Sequence, residues 1–266
     1  MDYVKRGQIG VDFSNHQPSY NTLQAKSYQF DFSVSAEKLN QLKYNWDNYK
    51  VFNWNNFYPD NVANTLHNYY YNMHKDEWDL AIHPDPYYDY GANLTDPLID
   101  DYYHLYLTKD NDPSLPEREA YARQVNFKGG FSYIYRRTND FHPYLKWFSS
   151  PKFLRIIEQI TGFENLEYKL NYNFVSCYEE GHYNGPHTDG DNGRVAMVLH
   201  LSKDWRPEYG GVFIRTDRDK LTVNKVVSPP FNTLTMFNVI GGAPHFVSEI
   251  AKGVKNKRIA YTGWYV

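Results

Sequence analysis

After residue 165 the chain becomes a series of short β-rich runs, spaced at about ten residues and separated by turn residues. They are Tyr172–Tyr178, Val195–Leu201, Val212–Thr216, Leu221–Val227, Thr233–Asn238, His245–Ile250 and Arg258–Tyr265. Gly190-Asp191-Asn192-Gly193, Gly210-Gly211, Pro229-Pro230 and Gly241-Gly242 punctuate them. Short strands with no helix between them bury their apolar faces against one another. This pattern predicts a sandwich or a jelly roll.

The earlier part of the chain is different. Residues 1 to 45 are polar and weakly periodic and read as an N-terminal extension. A helix is predicted from Asn61 to His74, with Pro59-Asp60 before it and Val62, Leu66, Tyr69, Tyr70 and Met73 on one face. A second is predicted at Pro151 to Thr161, where Ser150 caps, Pro151 takes the first helical position and Gly162 follows the end. Between them, residues 83 to 117 hold Pro84, Pro86, Pro97, Pro113 and Pro116 and read as a long irregular loop. Phe131–Phe141 reads as a loop too, and Tyr87-Tyr88-Asp89-Tyr90 is a candidate for stacking on a ligand or for anchoring its own loop. The expected fold class is mainly β with flanking helices, the N-terminal helices buttressing the strands, and residues 46–266 are read as a single domain.

Composition narrows the function. With 28 basic against 31 acidic residues the formal charge is −3, which gives no electrostatic reason to expect a nucleic-acid partner or a membrane surface. No apolar run approaches the roughly 20 residues that span a bilayer. The single cysteine, Cys177, excludes an internal disulfide and any CxxC site, so a reduced, cytoplasmic setting is expected.

Chemistry concentrates in Tyr178-Glu-Glu-Gly-His-Tyr-Asn-Gly-Pro-His187-Thr-Asp189. His187 and Asp189 stand two apart just past a strand, and His245 opens a later one. Two imidazoles and one carboxylate on three corners of a metal leave three positions open, the facial arrangement of non-haem Fe(II) oxygenases. Taken singly, an H-x-D pair is often fortuitous and a lone histidine is often structural. Thirteen residues beyond His245, Arg258 opens the last strand, and alternation puts Arg258, Ala260, Thr262 and Trp264 on one face. A buried Arg beside a Thr hydroxyl is a fork for a carboxylate. The competing reading is a solvated Arg in the basic run Lys255-Asn256-Lys257-Arg258.

From about Asn171 to Tyr265 the chain resembles the prolyl-4-hydroxylase-like branch of the Fe(II)/2-oxoglutarate dioxygenases, and within it the hypoxia-factor and ribosomal-protein prolyl hydroxylases. The resemblance runs through Val175-Ser-Cys-Tyr178, His187-Thr-Asp189, Arg194, Leu201-Ser-Lys203-Asp204-Trp205, Gly210-Gly211, Phe231-Asn232, Thr233-Leu-Thr-Met-Phe237, His245 and Arg258-x-x-x-Thr262-x-Trp264. It implies a double-stranded β-helix, a jelly roll with the metal in its mouth. It also implies that His187, Asp189 and His245 hold Fe(II), and that Arg258 pairs with the far carboxylate of 2-oxoglutarate. Tyr178 falls where the family has a tyrosine that hydrogen-bonds this co-substrate, and Thr262 where a threonine assists the arginine. His200 departs from the family, standing where hypoxia-factor enzymes carry another co-substrate tyrosine. Cys177 alternates away from Tyr178 and is read as packing.

The implied activity is hydroxylation of an unactivated C–H bond with 2-oxoglutarate and O2, releasing succinate and CO2, with ascorbate as a supporting reductant. The substrate expected from the resemblance is a prolyl or other amino-acid side chain in a protein or peptide. A carboxylate at position 189 favours hydroxylation over halogenation. A hydroxylase of a free amino acid or small natural product shares the same iron site. A zinc hydrolase would use the same trio but have no use for Arg258 and Thr262. A jelly roll that binds without turnover is the remaining alternative.

Overall fold

The computed structural model of the chain describes residues 32–83, 105–107, 130–135, 141–170, 172–189, 192–216, 222–241 and 244–266. Among the described residues the first element is helix α1 (Ala36–Tyr49), which begins inside the segment assigned to the N-terminal extension. Its apolar positions are sparse, with only Leu42 and Trp46 buried, so periodicity alone does not reveal it. Ser35 accepts from the Lys38 N–H at its start, and Lys50 in the left-handed conformation ends it. Strand β1 (Val51–Asn55) follows directly.

Helix α2 (Asp60–Tyr71) matches the predicted 61–74 helix but ends three residues early, at Tyr71, with Asn72 as its cap. Strands β2 (Asp79–His83), β3 (Leu105–Leu107) and β4 (Gly130–Tyr135) come next. The 83–117 region is therefore not wholly irregular, because β3 pairs with β2, and Phe131–Phe141 is not wholly loop, because β4 pairs with β2, β5 and β6. Long-range pairing builds these strands where local pattern is weak. The tyrosine segment 87–90 and most of that loop lie outside the described residues. Helix α3 (Pro151–Thr161) agrees with its prediction at both ends: Ser150 accepts from the Phe153 N–H, and Gly162 closes it with φ of 73°.

The C-terminal strands are β5 (Phe174–Tyr178), β6 (Tyr183–His187), β7 (Val195–His200), β8 (Phe213–Thr216), β9 (Val223–Val227), β10 (Thr233–Asn238), β11 (His245–Val247) and β12 (Arg258–Tyr265). Seven fall in the predicted runs. The eighth, β6, has no counterpart among them, because Gly185-Pro186 in its middle argues against a strand. It survives as the bulged partner of β11: the register runs from His245 opposite His187 to Val247 opposite Asn184, so β6 carries the extra residue. Every described pairing is antiparallel, in the order β1-β10-β7-β12-β5-β4-β6-β11-β8-β9, with β2 on β4 and β3 on β2. The fold is mainly β, a jelly roll with supporting helices.

Residues opposite one another in an antiparallel ladder share a face. One face of the β1-β10-β7-β12-β5 layer carries Phe52, Met236, Met197, Tyr261, Tyr265, Val175 and Cys177. The helices cover it. Trp46 meets Phe52 edge-on at 6.1 Å, Phe148 lies 5.5 Å from Tyr261, and the Tyr265 hydroxyl donates to the Phe148 carbonyl at 3.0 Å. His67 of α2 donates from Nδ1 to the Leu201 carbonyl at 2.7 Å, docking that helix at the end of β7. Asn232 clamps the backbone of Tyr58 from both sides, accepting at 2.9 Å and donating at 2.7 Å. The opposite, inner face carries Phe237, Ala196 and Trp264 near one end and Tyr178, His200 and Arg258 near the other. Phe237 and Trp264 pack with Phe213 of β8, which closes the jelly roll from the second layer.

Candidate metal centre

His187 ends β6, and His245 sits opposite it at the start of β11. Pairing these strands brings together two imidazoles separated by 58 positions in sequence, with ring centroids 4.2 Å apart. Asp189 follows His187 by two residues and accepts the Asn192 N–H on its carbonyl at 2.9 Å. Asp189 Oδ1 stands 3.7 Å from His187 Nε2 and Asp189 Oδ2 stands 3.3 Å from His245 Nε2. All three potential ligand atoms lie within 4.8 Å of one another, the one such group among the described residues. Ligands about 2.1 Å from a shared ion and at right angles lie about 3 Å apart. The trio is therefore close to a facial site.

The backbone prepares one imidazole for this role. His187 Nδ1–H donates to the Gly185 carbonyl at 2.9 Å, so the Nε2 lone pair points at the trio. His245 is held between rings, with Phe237 at 4.9 Å and Phe213 at 5.4 Å. Burial pushes the Asp189 carboxyl up. The adjacent His245 imidazole, and then His187, outweigh this and hold it well below the usual carboxylate range. The Trp264 indole N–H acts in the same direction, although it is too far or too oblique for a full hydrogen bond. Asp189 is thus an anion at neutral pH without any metal to enforce it.

Arg258 is 2% exposed. It is not a member of a solvated basic run. Its Nε–H donates to the Gly211 carbonyl at 2.6 Å, and its guanidinium lies over the Tyr178 ring, 5.0 Å from the centroid. Tyr178 is its cross-strand partner. The Gly210-Gly211 pair and Trp205, markers in the sequence, build the seat. Trp205 Nε1–H donates to the Gly210 carbonyl at 2.9 Å. A Cβ on Gly211, whose φ is 63°, would stand 2.6 Å from Arg258 Cδ and 2.6 Å from Ile250 Cδ1. Burial lowers the guanidinium pKa, and no carboxylate among the described residues pairs with it.

Thr262 shares the Arg258 face, but four residues at about 3.3 Å each put it about 13 Å along the strand. Its cross-strand neighbours are Phe174 and Val198. His200 is 1% exposed, opposite Ala260 on β12. Its Nε2 is 3.0 Å from Thr235 Oγ1, and Thr235 in turn bonds Asn53 Oδ1 at 3.0 Å. Burial, and secondarily the Arg258 charge, hold the His200 pKa well below the ordinary histidine value, so the ring is neutral. Sequence reasoning does not single out Gly185, Thr235 or Asn53. The alternation Thr233-Leu-Thr235-Met-Phe237 does contain the signal that Thr235 faces inward with Phe237. Asn53 carries no such mark. Cys177 lies on the helix-covered face, where burial pushes its thiol up.

A family model described as the 2OG-Fe(II) oxygenase superfamily matches residues 173–266. That stretch holds the trio, Tyr178, His200, Arg258 and Thr262, and it is the part of the chain that is similar to this family. The family implies Fe(II), 2-oxoglutarate and O2. No curated protein matches the chain. Among solved structures, a Pseudomonas putida prolyl-4-hydroxylase is similar at 16% identity, with 85% of this chain and 97% of that one covered and a TM-score of 0.50. A prolyl hydroxylase from Trichoplax adhaerens, solved with a peptide fragment of a hypoxia-inducible factor, is similar at 17% identity, with 85% and 88% covered and a TM-score of 0.52. The non-haem α-ketoglutarate-dependent epimerase SnoN of nogalamycin biosynthesis is similar at 8% identity, with 87% and 83% covered and a TM-score of 0.53. At these identities the structures share the jelly-roll fold. Among the described residues no helix is long and apolar enough to cross a membrane.

Proposed function

We propose that the protein is an Fe(II)- and 2-oxoglutarate-dependent hydroxylase of an amino-acid side chain, with a prolyl residue in a protein or peptide as its substrate. The observation that carries the co-substrate assignment is Arg258. A buried guanidinium without an acidic partner among the described residues is costly unless a ligand brings the anion. It shares its interior with the His187–Asp189–His245 trio, so a dicarboxylate reaching from one to the other satisfies both. Bound iron supplies oxidative decarboxylation of 2-oxoglutarate coupled to oxygen insertion into a C–H bond.

The residues supply the rest. His187, Asp189 and His245 would hold the metal, and a site with only three protein ligands would keep room on it for small molecules. Arg258, oriented by Gly211, takes the far carboxylate, and Tyr178 beneath it walls the pocket. His200 and Thr262 are the remaining co-substrate candidates, His200 on the Arg258 side and Thr262 further along the same face. Phe213, Phe237 and Trp264 keep the centre apolar and exclude water. The peptide assignment rests on the ordered motif resemblance from Val175 to Trp264 and agrees with the peptide-bound hydroxylase among the structures of the same fold.

The test is incubation with Fe(II), 2-oxoglutarate and O2 against a proline-containing peptide library and a free amino-acid panel. Succinate release and a mass gain of one oxygen on a peptide are expected. A peptide hydroxylase leaves free proline untouched, because residues flanking the target supply binding energy. Stoichiometric oxidation of a free amino acid with no peptide product overturns the peptide assignment. Absence of 2-oxoglutarate binding by the metal-loaded protein overturns the whole reading.

A further inference from the structure

The His200 ring is buried, yet its Nδ1 has no hydrogen-bond partner among the described residues. An orphaned buried polar atom is costly, which points to a missing ligand. What Nδ1 offers a ligand depends on Nε2, since a neutral imidazole donates from one nitrogen and accepts at the other. Nε2 touches Thr235 Oγ1, and Thr235 touches Asn53. The chain of contacts from Nε2 therefore ends two side chains away, on the edge strand β1.

Two hydrogen-bond orders fit the chain. In the first, Thr235 donates to Asn53 Oδ1 as the structure has it, so Thr235 Oγ1 receives the His200 Nε2–H and Nδ1 is left with a bare lone pair. That order repels a carboxylate. In the second, a half-turn of the Asn53 amide presents Nδ2–H to Thr235, which then donates to Nε2 and leaves Nδ1 as the donor. Asn53 is only partly buried, at the outer end of the relay, so its amide has room to turn.

We propose that Asn53 and Thr235 are positioning residues that set the polarity of His200, so that its neutral ring gives an Nδ1–H to the far carboxylate of 2-oxoglutarate beside Arg258. This rests on the function proposed above and assigns a role to the position where the chain departs from the family tyrosine. On ligand entry one proton leaves Nε2 for water and one is taken from water at Nδ1, so the ring stays uncharged. A tyrosine hydroxyl turns freely to suit its acceptor. An imidazole does not, so this chain needs the Thr235–Asn53 relay.

The test uses the full-length protein loaded with diamagnetic Zn(II) and labelled with 15N-histidine, with His200→Gln identifying the ring signals. The ring is expected as the Nε2–H tautomer alone and as the Nδ1–H tautomer once 2-oxoglutarate is added. Asn53→Asp can only accept, so it holds Thr235 in the first order. It should keep the Nε2–H tautomer and weaken 2-oxoglutarate binding by tenfold or more in calorimetry, with Zn(II) binding unchanged. Thr235→Val should weaken binding similarly, and Thr235→Ser should restore it. If 2-oxoglutarate binds and the tautomer stays the same, or if Asn53→Asp binds it like wild type, the relay is wrong. If wild type binds no 2-oxoglutarate at all, the fault lies in the proposed function, and the calorimetry shows this independently of the ring signals.

Discussion

Arg258 and Gly211 meet through a 2.6 Å hydrogen bond between a guanidinium Nε–H and a backbone carbonyl, at a spot where a Cβ on the glycine would stand 2.6 Å from the arginine's Cδ. Gly211→Ala should therefore displace Arg258 and raise the 2-oxoglutarate requirement tenfold or more while metal affinity stays within about twofold. Arg258→Ala should do the same directly, since truncating one member of a buried charge pair costs about 2–5 kcal/mol. Arg258→Lys should recover only part, having lost the planar fork. Binding isotherms for metal and 2-oxoglutarate, measured separately, decide this. Unchanged 2-oxoglutarate affinity in Gly211→Ala would show that the glycine does not seat the arginine.

Removing any one of His187, Asp189 and His245 by alanine should abolish stable metal binding and turnover, because three ligands leave none spare. The fold should persist, as shown by an unchanged circular-dichroism spectrum. Wild-type-like succinate release from His245→Ala would remove the metal assignment. Asp189→Gly is expected to lose hydroxylation and to open a coordination site for halide.

Acidification should destabilise the protein through its buried histidines. Burial lowers the pKa of His67, His142 and His200, the last also through the Arg258 charge. The unfolded chain takes up protons near the ordinary pKa of about 6.5, and the folded chain does not. Stability is thus complete above that value and falls as pH drops towards the lowered folded values. Each such histidine contributes a slope of at most about 1.4 kcal/mol per pH unit in this window. Urea denaturation of the metal-free protein between about pH 7.5 and 5.5 should show a smaller loss in His200→Gln than in wild type. Equal losses in the two would mean that His200 is protonated in the folded state.

Cys177 should be inert in the folded protein. It is the only cysteine, it is 1% exposed, and burial pushes its thiol up. A thiol reagent at mildly alkaline pH should label nothing natively and one equivalent after unfolding in denaturant. Fast native labelling would place Cys177 in a mobile or open part of the sheet.

Much of the C-terminal half was legible because strands and caps are local. Thr233–Asn238 and Arg258–Tyr265 are strands with the bounds their alternation suggests, and Ser150, Pro151 and Gly162 mark α3 at both ends. The strand β6 was hidden because Gly185-Pro186 looks like a turn unless β11 is beside it. Helix α1 was hidden because it buries few apolar residues of its own and depends on its contacts with α3 and β1.

The amino-acid order by itself determined the chemistry available: an H-x-D pair, a later histidine on a strand and an arginine in an apolar strand, all in a chain patterned for a jelly roll. Residue type and period-2 alternation are properties of a short stretch, so they can be read without a partner. The tertiary structure alone decided what meets what. Register placed His187 opposite His245 and Tyr178 opposite Arg258, left Thr262 four residues along the strand, and joined His200 to Asn53 through Thr235. A one-residue slip in any of these ladders turns the same side chains to the opposite face. Only burial of one face against the helices and the other against Phe213 and His245 selects the register that builds the site.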